Sequence, residues 1–298
     1  MTKRRHTKSE EETEEVYEPS KATRLFIIWR KLKRSELAVL GFGIVVIMVI
    51  VALFAPFFAP NPDKMGIPMR PPTMGHFLGT DARGRDMLAL ISYGARISLY
   101  IGLATVALEL AIGLSIGMIS GFFGGIIDEV LMRLTDVILT LPELPLLIVV
   151  VSLFEQRSVN TIVLVMGVVG WPFIARVVRS EFLSLRESTY VEAARSIGAT
   201  NWRIIVHHIL PNIMSTLIVL ATMDIPWYIF YEATLTFLGF GDPNSPSWGV
   251  LLERGRLYLG SAWWLITFPG IALLIVSMGF NLFGDGLRDA LDVKTGGR

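Results

Sequence analysis

Six stretches of roughly 20 consecutive, mostly apolar residues run through the chain, and no other feature narrows its possible folds as much. They cover residues 37–59, 97–120, 137–154, 159–178, 213–238 and 263–283. A helix advances about 1.5 Å per residue, so each stretch is long enough to cross the ~30 Å hydrocarbon core of a bilayer. Lipid offers no hydrogen-bonding partners, and a segment of this length satisfies its own backbone only as an α-helix. The expected fold class is therefore an all-α, polytopic membrane protein with six transmembrane helices. The first stretch carries no charge, while the second, third and fourth carry only Glu109, Glu143 and Arg176 respectively. The third is the least regular, because Pro142 and Pro145 leave backbone groups that neighbouring helices must satisfy.

Composition agrees. Of 298 residues, 52% are hydrophobic and 18% charged, and the mean hydropathy of +0.56 is high for a chain that folds in water. Cysteine is absent, which excludes disulfides, thiolate metal sites and a cysteine nucleophile. About thirty mostly polar residues, including the acidic run from Glu10 to Glu15, precede the first apolar stretch, so a cleavable signal is not expected. Residues 1–20 read as a solvated tail. The following basic segment, with Arg24, Arg30, Lys31, Lys33 and Arg34 among Leu25, Phe26, Ile27, Ile28 and Trp29, fits either a membrane-surface helix or a plain flank.

Positive charge orients the crossings. With the N-terminus inside, segments 121–136, 179–212 and the C-terminus are cytoplasmic, and 60–96, 155–158 and 239–262 lie outside. The inside segments then hold 18 Lys and Arg and the outside ones 8. Trp171, Trp227, Trp248, Trp263 and Trp264 fall near expected helix ends, where tryptophans commonly anchor at the interface. Gly113, Gly117, Gly121 and Gly125 recur every fourth residue and predict a face that a neighbouring helix approaches closely. Gly113 to Gly117 also matches the hydrolase pattern G-x-S-x-G, but an elbow nucleophile requires a strand-to-helix turn, and Ser115 lies in the middle of an apolar helix.

The most informative loop joins the fourth and fifth stretches. Thr189 followed by Glu192 has the spacing of a capping box. The spacing predicts a short helix through Tyr190, Val191, Ala193, Ala194 and Ile197 that stops at Gly198, whose missing Cβ permits a left-handed terminus. A second helix is expected from Thr200 or Asn201 to just before Pro211. The Ala193–Ala194 pair suits close approach by another protein, although alanines also serve helix propensity alone.

Glu192-Ala193-Ala194, Gly198 and Ile209-Leu210-Pro211 resemble the cytoplasmic loop of ABC-importer permeases, E-A-A-x3-G followed by I-x-L-P, with the final element here shortened to I-L-P. His76 to Asp81, Gly84-Arg85-Asp86, Gly94 to Leu99, Phe237 to Gly241 and Pro246 to Gly249 resemble the C-type permease of dipeptide, oligopeptide and nickel importers. The likeness spans about residues 25–290. It implies a type I importer permease fold in a prokaryotic plasma membrane, with both termini cytoplasmic. It also implies a heterodimer with a B-type permease, two cytoplasmic ATPases that bind ATP and magnesium, and an extracytoplasmic solute-binding protein; no nucleic-acid partner is implied. Tyr190, Glu192, Ala193, Ala194, Gly198 and Pro211 are then the expected ATPase-coupling residues. The expected organisation is a tail over 1–36, a first span over 37–59, an outer loop over 60–94, a five-helix core over 95–285 containing the coupling loop 179–212, and a C-terminal tail over 286–298.

No lysine follows a glycine, so the chain has no phosphate-binding P-loop, and catalytic residues, cofactors and metals of its own are not expected. His207-His208 reads as interfacial, and His76 beside Asp81 and Asp86 as hydrogen-bonded structure rather than a metal site. Glu109, Glu143, Asp224 and Glu232 lie inside apolar stretches, where a carboxylate costs on the order of 3 kcal/mol and requires a partner or water. Each acid either pairs across helices or sits near a helix end, as suits Glu143 and Glu232, or faces the translocation path, and Glu109 and Asp224 are the first candidates for the path. The competing readings are an ion-coupled carrier, which usually shows internal repeats, and an importer of the same kind for nickel or oligosaccharides.

Overall fold

The structure is a computed structural model and describes residues 21–59 and 61–291. The expected tail over 1–20 and the last part of the C-terminal tail lie outside the described residues. Helix α1 (Lys21–Arg34) leads into α2 (Glu36–Phe58), whose N-cap Ser35 accepts from the Ala38 amide. Helix α3 (Met87–Phe123) starts ten residues before the apolar run, because Asp86 caps it by accepting from the Ala89 amide at 3.1 Å. Next come α4 (Gly125–Thr140), α5 (Glu143–Ser152), α6 (Val159–Arg186) and α7 (Thr189–Ser196). A single turn, α8 (Asn201–Arg203), runs through a π-helical stretch, Ile204–Ile209, into α9 (Leu210–Phe237). The short α10 (Trp248–Gly255) precedes α11 (Trp264–Leu291). Among the described residues only isolated bridges, Thr73 with His76 and Thr80 with Asp86, interrupt the helical pattern.

Five helical segments are long and apolar enough to cross a membrane, and α4 with α5 forms a sixth unit bent by 93°. The expectation of a continuous third helix over 137–154 is thus corrected: it breaks between Thr140 and Glu143. Pro142 is the reason, since it lacks an N–H and pushes Leu141 into an extended conformation.

The glycine stripe shows how the break is used. A Cβ at Gly113 would fall 2.7 Å from Ile174 Cβ, one at Gly117 2.7 Å from Val178 Cβ, and one at Gly121 2.7 Å from Phe182 Cβ. Both numbers rise together, so α3 and α6 run parallel, with backbones at a separation that only glycine permits. Tyr100 donates to Asn160 at 2.8 Å near the other end of the same seam. The chain must therefore travel back by about 25 residues of helix rise, roughly 37 Å, before α6 begins. Only α4 and α5 lie between, and the Arg179–Asp128 and Arg176–Asp136 pairs set α4 antiparallel to α6. The bent pair makes the return crossing. Gly125 does not extend the stripe: Gly124 (φ 67°) and Gly125 (φ 59°) form the left-handed reversal that turns α3 into α4.

Helix α2 packs antiparallel on α11, Gly41 against Phe283 and Ala38 against Gly286. The outer segments are tied down by tryptophans. Trp248 Nε1 donates to Ile91 O at 3.0 Å and Trp264 Nε1 to Thr80 O at 3.1 Å. Trp171, Trp248 and Trp264 are buried, contrary to the interfacial expectation, while Trp227 and Trp263 are exposed. Proximity to a helix end does not separate an anchor from a core residue when long loops fold back over the bundle.

Candidate coupling surface and interior acid cluster

Beyond the end of α6, helix α7 lies against the bundle. Val191 and Ala194 are buried among Phe122, Phe182, Ile204 and Ile205. The capping box is not formed. Ser188, not Thr189, is the N-cap residue; its hydroxyl donates back to Leu185 O, and its carbonyl accepts from Val191 and Glu192. The hydroxyl is already engaged by the turn that leaves α6, so the helix starts one residue earlier than the pattern requires. The C-terminus follows expectation. Gly198 (φ 83°) donates to Arg195 O at 2.9 Å and Ala199 to Ala194 O at 3.0 Å, the two bonds of a Schellman motif.

Ala194 is 5% exposed and faces its own bundle, so the alanine pair is split: only Ala193 looks outward. Glu192, Arg195 and Ser196 share the outer face, and Glu192 makes no ion pair among the described residues. Tyr190 accepts from Asn212 at 3.4 Å. Two residues outside the expected coupling set stand out: Ile197 is 86% exposed and Trp202 66%. Large apolar side chains in a mostly polar loop, Ile197 between Ser196 and Gly198 and Trp202 between Asn201 and Arg203, were the available signal. The segment also does not end before Pro211. Leu210 N–H reaches back five residues to Ile205 O, and this π turn shifts the hydrogen-bond ladder so that an exposed Pro211 enters α9 without breaking it. Asp128, bound by Arg179 at 2.5 and 2.6 Å and by the Ser120 hydroxyl, locks α3, α4 and α6 at this end.

In the bundle interior the structure brings Glu109 and Asp224 together. Glu109 on α3 lies in the field of Asp224 on α9 and of Glu143 in the first turn of α5, and accepts from Tyr228. Tyr231 donates to Glu143 at 3.1 Å. Asp224, Tyr228 and Tyr231 fall at i, i+4 and i+7, one face of α9. Gly170 of α6 leaves room for the Tyr228 hydroxyl, which any Cβ there would overlap. Thr105 Oγ1, Glu109 Oε2 and Asp224 Oδ2 are buried without hydrogen-bond partners. The tyrosines and Thr105 were legible only as helical neighbours of the acids.

Glu232 differs. Its Oε1 accepts from Thr236 at 2.9 Å and from Ser247, the N-cap of α10, at 2.6 Å, while its Oε2 is buried without a partner. It fastens the outer segment to α9, as cross-segment pairing implies. His76 Nδ1 lies 2.7 Å from Asp86, and no group of three acids or histidines among the described residues is placed to hold a metal ion. Outside the spans, Arg254 donates to Pro243 O at 2.5 Å. Burial, with Arg85 and Arg83 nearby, lowers its pKa from the ordinary arginine value, yet the group stays charged.

A bundle with six crossings, acids in its interior and a helix anchored beyond one end defines the class: a polytopic membrane permease. Residues 113–296 match the family model of the binding-protein-dependent transport system inner membrane component, and residues 23–72 that of the N-terminal transmembrane domain of oligopeptide transport permease C. The chain is 39% identical over 295 residues to the probable D,D-dipeptide transport system permease protein of Escherichia coli K12, covering 97% of this chain and 98% of that one. It is 38% identical to the dipeptide permease of Alkalihalophilus pseudofirmus, over 89% of this chain and 88% of the other. It is also 38% identical to the oligopeptide permease of Bacillus subtilis, with the same two shares. Among solved structures, the inward-facing MetNI methionine ABC transporter matches with a TM-score of 0.57 at 21% identity, over 69% of this chain and 97% of that chain, which establishes the fold. The chain belongs to the family of binding-protein-dependent transport system inner membrane components and is a permease subunit of an ABC importer.

Proposed function

We propose that the chain forms half of a translocation pathway for di- or oligopeptides, paired with a B-type permease. A solute-binding protein delivers the peptide from outside, and two cytoplasmic ATPases, which bind ATP and magnesium, drive the cycle. The chain itself is not an enzyme. Helix α7 is the coupling element: Glu192, Ala193 and Tyr190 meet an ATPase, Ile197 and Trp202 enlarge that contact, and Ala194, Gly198 and Pro211 hold the segment in shape. Both termini are cytoplasmic. The observation that carries the reading is the pairing of a helix clamped to the bundle by Val191 and Ala194 with an outward surface of unburied large apolar residues. Such a surface fits a protein partner. Peptides are the solute class because similarity to di- and oligopeptide permeases extends over nearly the whole chain.

The test is reconstitution of the chain with the permease, ATPases and binding protein encoded beside it. Peptide uptake requiring ATP and all components is expected. Uptake by the chain alone on an ion gradient would establish a carrier instead, and uptake of nickel or an oligosaccharide but no peptide would replace the substrate. Topology is checked separately. A cysteine at Asp63 should react with an impermeant reagent added outside, and one at Ser196 should not; the reverse overturns the orientation.

A further inference from the structure

We propose that the cluster of Glu109, Asp224 and Glu143, with Thr105, Tyr228 and Tyr231, binds the free ammonium group of the transported peptide as it passes through the bundle. This rests on the peptide-importer reading above and assigns the site and the group it recognises. Glu109 is 3% exposed, and its Oε2 has no hydrogen-bond partner. Buried acceptors are almost always answered by a donor; Glu232 Oε2 is open as well but stands apart, whereas the open oxygen of Glu109 lies among further acids, where an arriving cation is favoured.

Two further observations select that donor. Thr105 Oγ1, one turn before Glu109, and Asp224 Oδ2 across the α3–α9 contact are likewise unanswered. Open oxygens on neighbouring helices suit an ammonium group, which carries donors and no acceptor. The charges have one sign: Glu109, Asp224 and Glu143 act on one another, and none has a Lys, Arg or His partner among the described residues. The two tyrosines position the acids, Tyr228 by donating to Glu109 and Tyr231 by donating to Glu143. Glu143 belongs to the site because the break after α4 places the first turn of α5 beside α9. Broken helices are tolerated in membranes where they line such an interior. Like charge also keeps the peptide carboxylate away, so the solute presents its amino end to the cluster.

The test uses the complete importer in proteoliposomes with labelled alanine dipeptide and pentapeptide, measuring uptake, binding-protein-stimulated ATP hydrolysis and subunit co-purification. Glu109→Gln and Asp224→Asn are each expected to lower uptake at least tenfold while ATP hydrolysis stays within twofold of wild type. Glu109→Asp, which keeps the charge, should recover at least half of the uptake. Unchanged uptake by both neutral variants overturns the proposal, because Gln mimics a protonated Glu and the site then works without charge. Joint loss of uptake, hydrolysis and assembly overturns it in favour of a structural acid, as does failure of Glu109→Asp to recover. If the wild-type importer moves neither peptide, the fault lies with the peptide reading rather than with the cluster.

Discussion

The middle of the bundle and the elbow formed by α7 and the turn after it depart from ordinary packing in opposite directions. In the middle, carboxylates and a hydroxyl are buried with oxygens unanswered; at the elbow, Ile197 and Trp202 stand in the open. Each region nevertheless rests on conventional structure: the glycine seam between α3 and α6 supports the first, and Val191 and Ala194 clamp the second. Glu232 is an intermediate case: two hydroxyls hold its Oε1, while its Oε2, like that of Glu109, has no partner. What is missing in each region matches what would arrive there, a donor in one and an apolar surface in the other.

Substitutions separate the supporting side of each region from its open side. Ala194→Trp should have the largest effect, because the residue is packed against the bundle: about 3 kcal/mol of stability lost, read as a lower melting temperature of the purified chain. A wild-type melting curve would mean that the α7 clamp is not a clamp. Trp202→Ala should leave melting unchanged, yet weaken ATPase co-purification by about 2 kcal/mol, roughly thirtyfold, if Trp202 anchors the contact. Equal ATPase binding would remove the elbow's open side from the comparison.

Glu109→Gln is expected to raise stability slightly, by up to about 1 kcal/mol, since it removes one of several like charges from a membrane interior while keeping an acceptor for Tyr228. A clear fall in melting temperature would make Glu109 a structural acid like Glu232. The smallest effect is expected for Glu192→Ala. The Glu192 carboxylate forms no capping box with Thr189, so folding should change by less than about 0.5 kcal/mol while ATP-driven uptake falls. Restoration of coupling by Glu192→Gln would show that the contact needs a hydrogen bond rather than a charge.

How much of this was legible residue by residue varied with the range of the interaction. The stops at Gly198 and the start at Thr200 were readable because a left-handed terminus and a side-chain cap are local. The Thr189–Glu192 box was misread because the Ser188 hydroxyl and the turn leaving α6 decide where α7 begins. Pro211 was read as a stop, and a π turn five residues long-range in its bonding carried the helix past it. Trp248 and Trp264 were placed at the interface because nothing local says that the segments between the spans fold back onto the bundle, and Trp171 because α6 continues well past it to Arg186.

By itself the sequence determined the helical class, the six apolar units, the weak point at Pro142 and the loop whose motif resembles that of importer permeases, because these follow from hydrophobic length, proline chemistry and contiguous motif residues. Only the tertiary structure decided that α3 and α6 pack directly on each other along the glycine seam, and that the crossing between them is a pair of helices bent by 93°. It also decided that Ala194 faces inward while Ala193 faces out, and that Glu109, Glu143 and Asp224 share one field. The reason is physical: a helix's own sequence sets its length and its periodic faces, but which faces meet depends on contacts between residues tens to a hundred positions apart.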